Sequence, residues 1–146
     1  MATRRSPTQA VMTAVVSRLQ STTGVTGRAP RGVYAHVPQA TPIASSSDAY
    51  VVVAAVTGSR QDTYGRLGMQ TLLQVRGVTV GDSLLPGVQL RDHVQRALTA
   101  SAVTASEHTV LGLSLDGEES YTEILNGLSV HHHVSLVRVW TEQTTS

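Results

Sequence analysis

The sequence predicts an α+β domain, with a mainly antiparallel sheet of about four to five strands and two helices packed on one face. Two segments have apolar residues at helical spacing, and several valine-rich runs have the β-branched composition of strands. Stretches rich in Pro, Gly and Ser separate these segments, which follow one another in the order α-β-β-β-α-β-β. We expect a single domain over residues 1–146, with flexible ends at 1–5 and 142–146.

The first helix is predicted from its start signals and its apolar stripe. Ser6 is a candidate N-cap, Pro7 suits the first helical position, and Gln9 completes a capping-box pattern. Apolar residues then recur at four-residue spacing through 11–19, which places them on one face of a helix. The glycines of the 24–27 stretch are expected to end this helix.

Three strands are predicted between the two helices. Prolines exclude a helix from the 28–48 stretch, in which 32–35 can pair as a short strand. The valine run at 50–57 predicts a strand, and its lack of alternation indicates burial on both faces. A polar connection at 58–66 leads to an alternating strand at 69–76, so we expect a long-looped hairpin.

The second helix is predicted at 84–100, with Asp82 or Ser83 as its cap. Two further strands are predicted at 108–115 and 128–141, joined by an acidic loop. The apolar stripe of the helix consists of Val88, Leu90, Val94, Ala97 and Leu98.

The composition excludes several classes of protein. All 11 basic residues are Arg, and they are scattered along a chain of net charge +1, unlike the basic stripe of a nucleic-acid-binding face. The longest apolar run, 51–56, is far shorter than the roughly 20 residues that cross a bilayer. Because there is no cysteine, a disulfide framework and a thiolate zinc site are excluded.

Three consecutive histidines at 131–133 suggest two interpretations. In a strand, His131 and His133 lie on the same face about 7 Å apart, which suits two ligands of one metal ion. A third ligand would then come from His36, His93 or His108. The alternative, which we favour, is a row of partly exposed histidines on an edge or interface strand.

No catalytic set is visible in the sequence. Paired carboxylates at Glu118, Glu119 and Glu123 can serve acid–base chemistry, but Asp116-Gly117 is a turn signal, so an acidic loop is the expected explanation. The chain has neither a Gly-x-Ser-x-Gly nucleophile elbow nor a phosphate-binding loop with its lysine. We therefore expect no enzyme, no cofactor and no bound metal.

The polar connection 58–66 is a candidate interface. It carries Arg60, Asp62, Tyr64 and Arg66 between two predicted strands. Exposed Tyr and Arg side chains are frequent anchors of protein–protein contacts. The alternative is an ordinary solvated hairpin loop.

The chain has one short motif, Val33-Tyr34 followed by Pro38-Gln39, within a distinctive order of elements. Over 8–141 this order resembles the tail-terminator, or tail-completion, proteins of long-tailed bacteriophages. The histidine triplet departs from the pattern of that family. The other matching segments are the strand start at 50–53, the alternating stretch 69–75, the helix 88–98 and the long final strand 129–141.

The resemblance implies a structural protein of the virion. Proteins of that family form a ring, typically of six copies, that stops growth at the head-proximal end of a completed tail tube and faces the head–tail connector. The implied partners are further copies of the chain, the tail tube protein and the connector protein, with DNA only passing through the lumen and no membrane. The implied location is the tail and neck of the virion, after assembly in the host cytoplasm. Arg60, Arg66 and Arg76 are candidates for lining the lumen.

Other functions stay open at this point. A head-closure or neck connector protein belongs to the same class, whereas His131 and His133 allow a small metal-binding protein or enzyme. A nucleic-acid-binding module is the third alternative. We expect the 28–48 and 58–66 segments to become ordered on docking, because their Pro, Ser and Gly content leaves little to bury.

Overall fold

The computed structural model describes residues 3–35, 48–62 and 66–144. In this part of the chain, the two long helices and the five strands follow one another in the predicted order. One short helix follows the first helix in addition. Within these residues, no helix is long and apolar enough to cross a membrane. The helices are α1 (Thr8–Gln20), α2 (Thr23–Thr26) and α3 (Leu85–Thr99). The strands are β1 (Gly32–Tyr34), β2 (Tyr50–Arg60), β3 (Gly68–Val80), β4 (His108–Leu125) and β5 (Leu128–Gln143).

The strands form one five-stranded sheet in the order β1-β2-β3-β5-β4. The short β1 pairs with β2 in parallel, and the remaining neighbours pair antiparallel. Both long helices pack on the same face of this sheet. The predicted α+β class, a mainly antiparallel sheet with helices on one face, is therefore confirmed.

The main core lies between the helices and the sheet. Each Val or Leu side chain buried there stabilises the fold by about 1.5–3 kcal/mol. The predicted stripe of α3 is confirmed except at Val88, which is 42% exposed because Gly87 takes the buried position one turn before Leu90. The core includes Val11, Val15 and Leu19 of α1, Leu90, Val94 and Leu98 of α3, and Val51, Val53, Leu73, Val75, Val137 and Val139 of the sheet.

The opposite side of the sheet, here called the helix-free face, carries a smaller apolar cluster. Val51 to Val53 are all buried, so the predicted two-sided burial of β2 is confirmed for this part. From Ala55 to Arg60 the same strand is exposed. The cluster consists of Tyr50, Val52, Val78, Val80 and Val130.

The predicted connection 58–66 is shorter than expected. β2 continues to Arg60 and β3 begins at Gly68, because residues on both sides of the predicted loop keep pairing, Arg60 with Met69. A β-bulge interrupts β2 at Val56, where the register shifts. Residues 63–65 of the connection, and 36–47 of the predicted 28–48 loop, lie outside the described residues.

The predicted cap of α1 does not form. The helix begins at Thr8 because Pro7 takes the N-cap position, and no side chain caps it, so Ser6 and Gln9 make no capping box. The Ser6 hydroxyl still accepts a hydrogen bond of 3.4 Å from the Thr8 amide. The predicted cap of α3 by Asp82 or Ser83 does not form either, because Leu84 takes the N-cap position, although the Ser83 hydroxyl accepts a hydrogen bond of 3.1 Å from the Leu85 amide.

The first helix also ends earlier than predicted. Its last residue is Gln20, before the glycines of the 24–27 stretch. The hydroxyls of Ser21 and Thr22 both donate to the carbonyl of Arg18, at 3.0 and 2.7 Å. These bonds satisfy a carbonyl that the helix would otherwise leave free, and α2 then starts as a separate turn.

The acidic segment between the last two strands is not a loop, contrary to the prediction. β4 continues to Leu125, and the chain reverses at Asn126-Gly127, whose φ values of 53° and 78° suit a tight hairpin turn. The expected turn at Asp116-Gly117 is a β-bulge instead, with the register shifting between Leu115 and Gly117. The final hairpin is thus longer than predicted on both strands.

Both ends of the chain contact each other in their described residues. The Gln143 side chain accepts a hydrogen bond from the Arg5 amide at 2.8 Å and donates to the Thr3 carbonyl at 2.6 Å. The described parts of the ends 1–5 and 142–146, where flexibility is expected, therefore run side by side.

Gly87→Ala is expected to destabilise the fold, because a Cβ there would overlap the His133 ring and lie 2.9 Å from the Thr79 hydroxyl. Overpacking of this kind costs about 1–3 kcal/mol, whereas alanine gains roughly 1 kcal/mol over glycine in a helix. Urea unfolding measures the difference, with the exposed Val88→Ala as matched control. His133→Ala should recover part of the loss in a double variant. An unchanged free energy of unfolding for Gly87→Ala would contradict this close packing.

Candidate assembly surfaces

A cluster of charged side chains lies at the end of the sheet where β2 leads into β3. Asp62 is its centre, because its carboxylate accepts from Arg4 at 2.6 Å and from Arg60 at 3.0 Å. The amide of Gly68 donates to the same carboxylate at 3.1 Å. The hydrogen bonds from Arg4 and Arg60 lower the pKa of Asp62 to about 2. The ionised carboxylate thus ties the N-terminal segment to the end of β2.

The same end includes Arg66, which donates to Glu142 of β5 at 2.9 Å. The side chains of Arg60 and Arg66 are 69% and 70% exposed, so each keeps donors that face solvent. Tyr64, predicted with them, lies outside the described residues. We call this surface the charged end; it consists of Arg4, Arg60, Asp62, Arg66 and Glu142.

Arg76, the remaining candidate, lies elsewhere. It is on the helix-free face of β3, opposite Val52 and Val134, about 27 Å along the strand from Gly68 at ~3.4 Å per residue. One guanidinium nitrogen donates to the Tyr121 hydroxyl at 3.4 Å, and its Nε is buried without a hydrogen-bond partner. The predicted site residues are therefore divided between two places.

The histidine triplet lies in the interior of the sheet. β5 is flanked by β3 and β4, and the side chains of His131, His132 and His133 are only 4%, 7% and 2% exposed. The expectation of partly exposed histidines on an edge strand was therefore wrong. The edge position belongs to β4, which covers the outer side of β5 along its length.

Each histidine has a partner on the neighbouring strand. His131 Nδ1 lies 2.8 Å from the Thr122 hydroxyl, and its Nε2 lies 2.6 Å from the Gly81 carbonyl. His133 Nδ1 lies 3.1 Å from the Ser120 hydroxyl, whereas its Nε2 is buried without a partner. Both rings face the helices, and their Nδ1 atoms are occupied by hydroxyl groups.

His132 faces the other way. Its Nε2 lies 2.7 Å from the Glu123 carboxylate, and its ring stacks on Tyr121 with centroids 4.4 Å apart. Glu123 and Tyr121 belong to the segment that was predicted to be an acidic loop. This segment therefore contributes a partner to each of the three histidines.

A third metal ligand does not join His131 and His133 in the described part of the chain, where no group of three or more His, Cys, Asp or Glu side chains is placed to hold a metal ion. His93 lies beside Gly24 of α2, and His108 begins β4. His36 lies outside the described ranges.

An open cleft of about 650 Å³ lies between α1 and the segment before β4. Two of its charged residues, Arg5 and Glu107, pair with each other, and the third, Arg18, donates to the carbonyls of Ala97, Ser101 and Ala102. His108 lines the cleft at 8% exposure, and burial lowers the pKa of its imidazole. The remaining lining is mostly small or hydroxyl-bearing side chains, which bind by hydrogen bonds and shape.

The long edge strand β4 is the surface that the sequence analysis missed. The signals that indicate a hairpin strand were the Asn126-Gly127 pair and the strand-favouring residues Tyr121, Thr122 and Ile124 before it. The strand exposes both large apolar and acidic side chains. The apolar ones are Leu111, Leu115, Tyr121, Ile124 and Leu125, and the acidic ones are Asp116, Glu118, Glu119 and Glu123.

The fold is similar to that of a chain in the solved virion of a native gene transfer agent (GTA) particle. The two superpose with a TM-score of 0.75 at 16% sequence identity, over 95% of this chain and 99% of that chain. No protein-family model and no curated protein matches the sequence. At this level of identity the likeness shows a shared fold over nearly the whole chain.

Acidification is expected to destabilise the protein through His133. Burial lowers the pKa of this imidazole, and the nearby Arg91, then His131 and His132, lower it further. Since the unfolded chain has a histidine pKa of about 6.5, the stabilisation is complete above that pH and is lost as the pH falls through the folded-state pKa. His133→Gln should make the free energy of unfolding less pH-dependent between about pH 7 and 5.

Urea unfolding at a series of pH values measures this effect, and His93→Gln is the control for removing a histidine elsewhere. A His133→Gln profile as steep as that of the unmodified protein would contradict the assignment.

Asp62→Asn is expected to free the N-terminal segment. The neutral amide loses the charge that holds Arg4 and Arg60, so trypsin should cleave after Arg4 faster at neutral pH. The core should keep its unfolding transition, because exposed ion pairs add little to global stability. Time-resolved peptide mapping measures the cleavage rate, with the exposed Asp82→Asn as control. Equal rates in both variants would show that Asp62 does not hold this segment.

Proposed function

We propose that the protein is a structural component of a virion and acts as a tail terminator, closing into a ring that joins a tail tube to a head connector. The likeness of fold carries this proposal, since the chain matches a virion chain over 95% of its own length and 99% of the other. The order of elements over 8–141, which resembles the tail-terminator proteins of long-tailed bacteriophages, supports the finer assignment.

In this proposal the protein acts by assembly and not by catalysis. Copies of the chain form a ring, of six subunits as in the family it resembles, on the head-proximal end of the tube. The ring stops tube growth and offers its other side to the connector, while DNA passes through the lumen. It uses no cofactor and no membrane, and after assembly in the host cytoplasm it resides in the neck of the virion.

Different chemistry at the two ends of the sheet supports a role between two partners. One end is the charged end defined above. At about 3.4 Å per residue, β3 separates it by roughly 40 Å from the other end, where α3 begins and the β4–β5 hairpin turns. The exposed apolar side chains at that other end are Leu84, Leu85, Val88, Ile124 and Leu125.

We assign the exposed cations Arg60 and Arg66, with Asp62 between them, to contacts with a virion partner at the charged end. Tyr64 is grouped with them by its position in the chain. Arg76, on the helix-free face, is assigned to the lumen. A ring repeats each of these contacts in every copy, so individually weak contacts add up.

The solution mass across a concentration series, followed by electron microscopy, tests the ring. We expect ring-shaped particles of about six chains, formed alone or on the ends of purified tail tubes. Arg60→Glu with Arg66→Glu should keep the fold and weaken binding to a tube or connector, whereas the matched control Arg96→Glu, on the exposed side of α3, should not. A chain that stays monomeric at high concentration and leaves tubes bare would overturn the proposal.

Deletion of the gene separates the terminator from head closure, the other role in the neck. Loss of a terminator should give over-long tails. Heads that leak DNA beside tails of normal length would instead assign the protein to head closure.

A further inference from the structure

Both edges of the sheet have backbone groups that no described strand pairs. On one side β4 is the outer strand along its whole length. On the other side β1 pairs with residues 50–52 of β2, and no described strand pairs the outer edge of β2 from Val53 to Arg60. Open strand edges are templates for pairing with another chain. We call these surfaces the β4 edge and the β1–β2 edge.

The directions of the edge strands suit pairing between copies. β2 is antiparallel to β3, β3 to β5, and β5 to β4, so β4 runs opposite to β2 and to its parallel partner β1. When a second copy lies beside the first in the same orientation, the β4 of one copy is therefore antiparallel to the β2 of the other. The antiparallel alternation of strand directions then continues from one copy to the next.

The two edges carry opposite excess charge. Four of the 10 acidic residues of the chain lie on β4, which has no arginine. Glu119 has no ion pair in the described part of the chain, and neither has the exposed Arg28, which precedes β1. Each edge thus offers an unsatisfied charge that the other edge can pair. The charged residues beside the β1–β2 edge are Arg28, Arg31, Asp48 and Arg60.

Exposed apolar side chains concentrate on β4. Of the nine large apolar residues that are exposed in the described ranges, five lie on β4 and one, Val56, lies on β2. Soluble monomers rarely leave such apolar surface together. A strand of a neighbouring copy laid along these edges would remove much of it from water.

One stretch of β4 is regular enough to add a strand. β-bulges shift its register near Leu111 and Asp116, which disturbs the first part of the edge. From Gly117 to Leu125 the pairing with β5 is uninterrupted, so the outward backbone groups alternate evenly. Glu119 lies inside this stretch.

We propose that the β4 edge of one copy pairs antiparallel with the β1–β2 edge of the next, so that one sheet continues from subunit to subunit around the ring. This inference rests on the proposed function and names the surfaces that form the ring. The contact joins two different surfaces, so each added copy leaves one edge of each kind open until the ring closes.

Charge reversal tests the pairing of the edges. Glu119→Arg and Arg28→Glu should each raise the dissociation constant of the oligomer about tenfold, because each reduces the charge difference between the two edges, and combining them in one chain should weaken the oligomer further. Asp82→Arg makes the same charge change away from both edges and is the matched control. Circular dichroism confirms the fold of each variant. Single variants that assemble like the control would overturn the proposal.

Cross-linking gives a second test, because the chain contains no cysteine. Tyr34 and Glu119 lie at the same height on opposite edges, through the pairs with Val52, Arg76 and Val134. A short bismaleimide should therefore join Tyr34→Cys to Glu119→Cys in a mixture of the two variants. A chain carrying both cysteines should give a ladder of species that ends at the mass of the ring.

The outcomes separate this inference from the proposed function. Dimers formed by Glu119→Cys alone would indicate a two-fold contact between β4 strands and overturn the proposal. Rings of full mass that neither cross-link nor respond to charge reversal would also overturn it, while leaving the tail-terminator function intact. A chain that forms no oligomer, alone or on tubes, would overturn both.

Discussion

The interior position of β5 is the constraint on which the rest of the structure depends. β3 and β4 pair with it over nearly its whole length, so both of its backbone edges are enclosed, and from Val130 to Ser135 its side chains are buried on both faces. The imidazoles at 131–133 must therefore be accommodated inside the sheet, where an unpaired polar group costs about 1–3 kcal/mol. Hydroxyls of Ser120 and Thr122 and the carboxylate of Glu123 provide the partners. The polar part of β4 is thus a strand because it pairs with a strand that carries buried histidines.

The same constraint acts on the helix layer. α3 can lie over His133 because Gly87 has no side chain at the point of contact. One turn further, Arg91 donates to the Ser120 hydroxyl at 2.8 Å, and Ser120 in turn contacts His133. Helix, central strand and hairpin are thereby linked through one hydrogen-bonded group, so a change at any of the three is transmitted to the others.

The parts of the fold that were predictable are those whose burial is decided by their own residues. The stripe around Leu90 and the run at 51–53 are examples, since spacing and β-branching alone indicate which sides are buried. The hairpin was missed because its polarity indicates solvent, whereas its role depends on histidines that pair with it from across the turn. The prediction that Val88 is buried was wrong for a related reason. The buried position belongs to Gly87, and a glycine has no apolar side chain that would indicate burial.

In the candidate site, too, only the features decided by neighbouring residues in the chain were predictable. Arg60, Asp62 and Arg66 come together because they belong to one connection, and Arg76 is separated from them by the length of β3. The contact of Arg4 with Asp62 joins residues 58 positions apart, and no local pattern indicates such a partner. Local patterns therefore identified a charged connection, whereas the partner that organises it depends on the tertiary fold.

The distribution of charge over the sheet bears on how an open-edged protein avoids uncontrolled pairing. Two β4 edges would place acidic rows opposite each other, and like charges directly opposite destabilise a strand pair. Pairing between unlike edges is favoured instead, and it is directional, since it adds each copy in the same sense. Whether such a series closes or extends depends on the rotation between copies. The bulges at Val56 and near Asp116 bend the very strands that would meet, so in the proposed ring they contribute to the curvature that lets the series close.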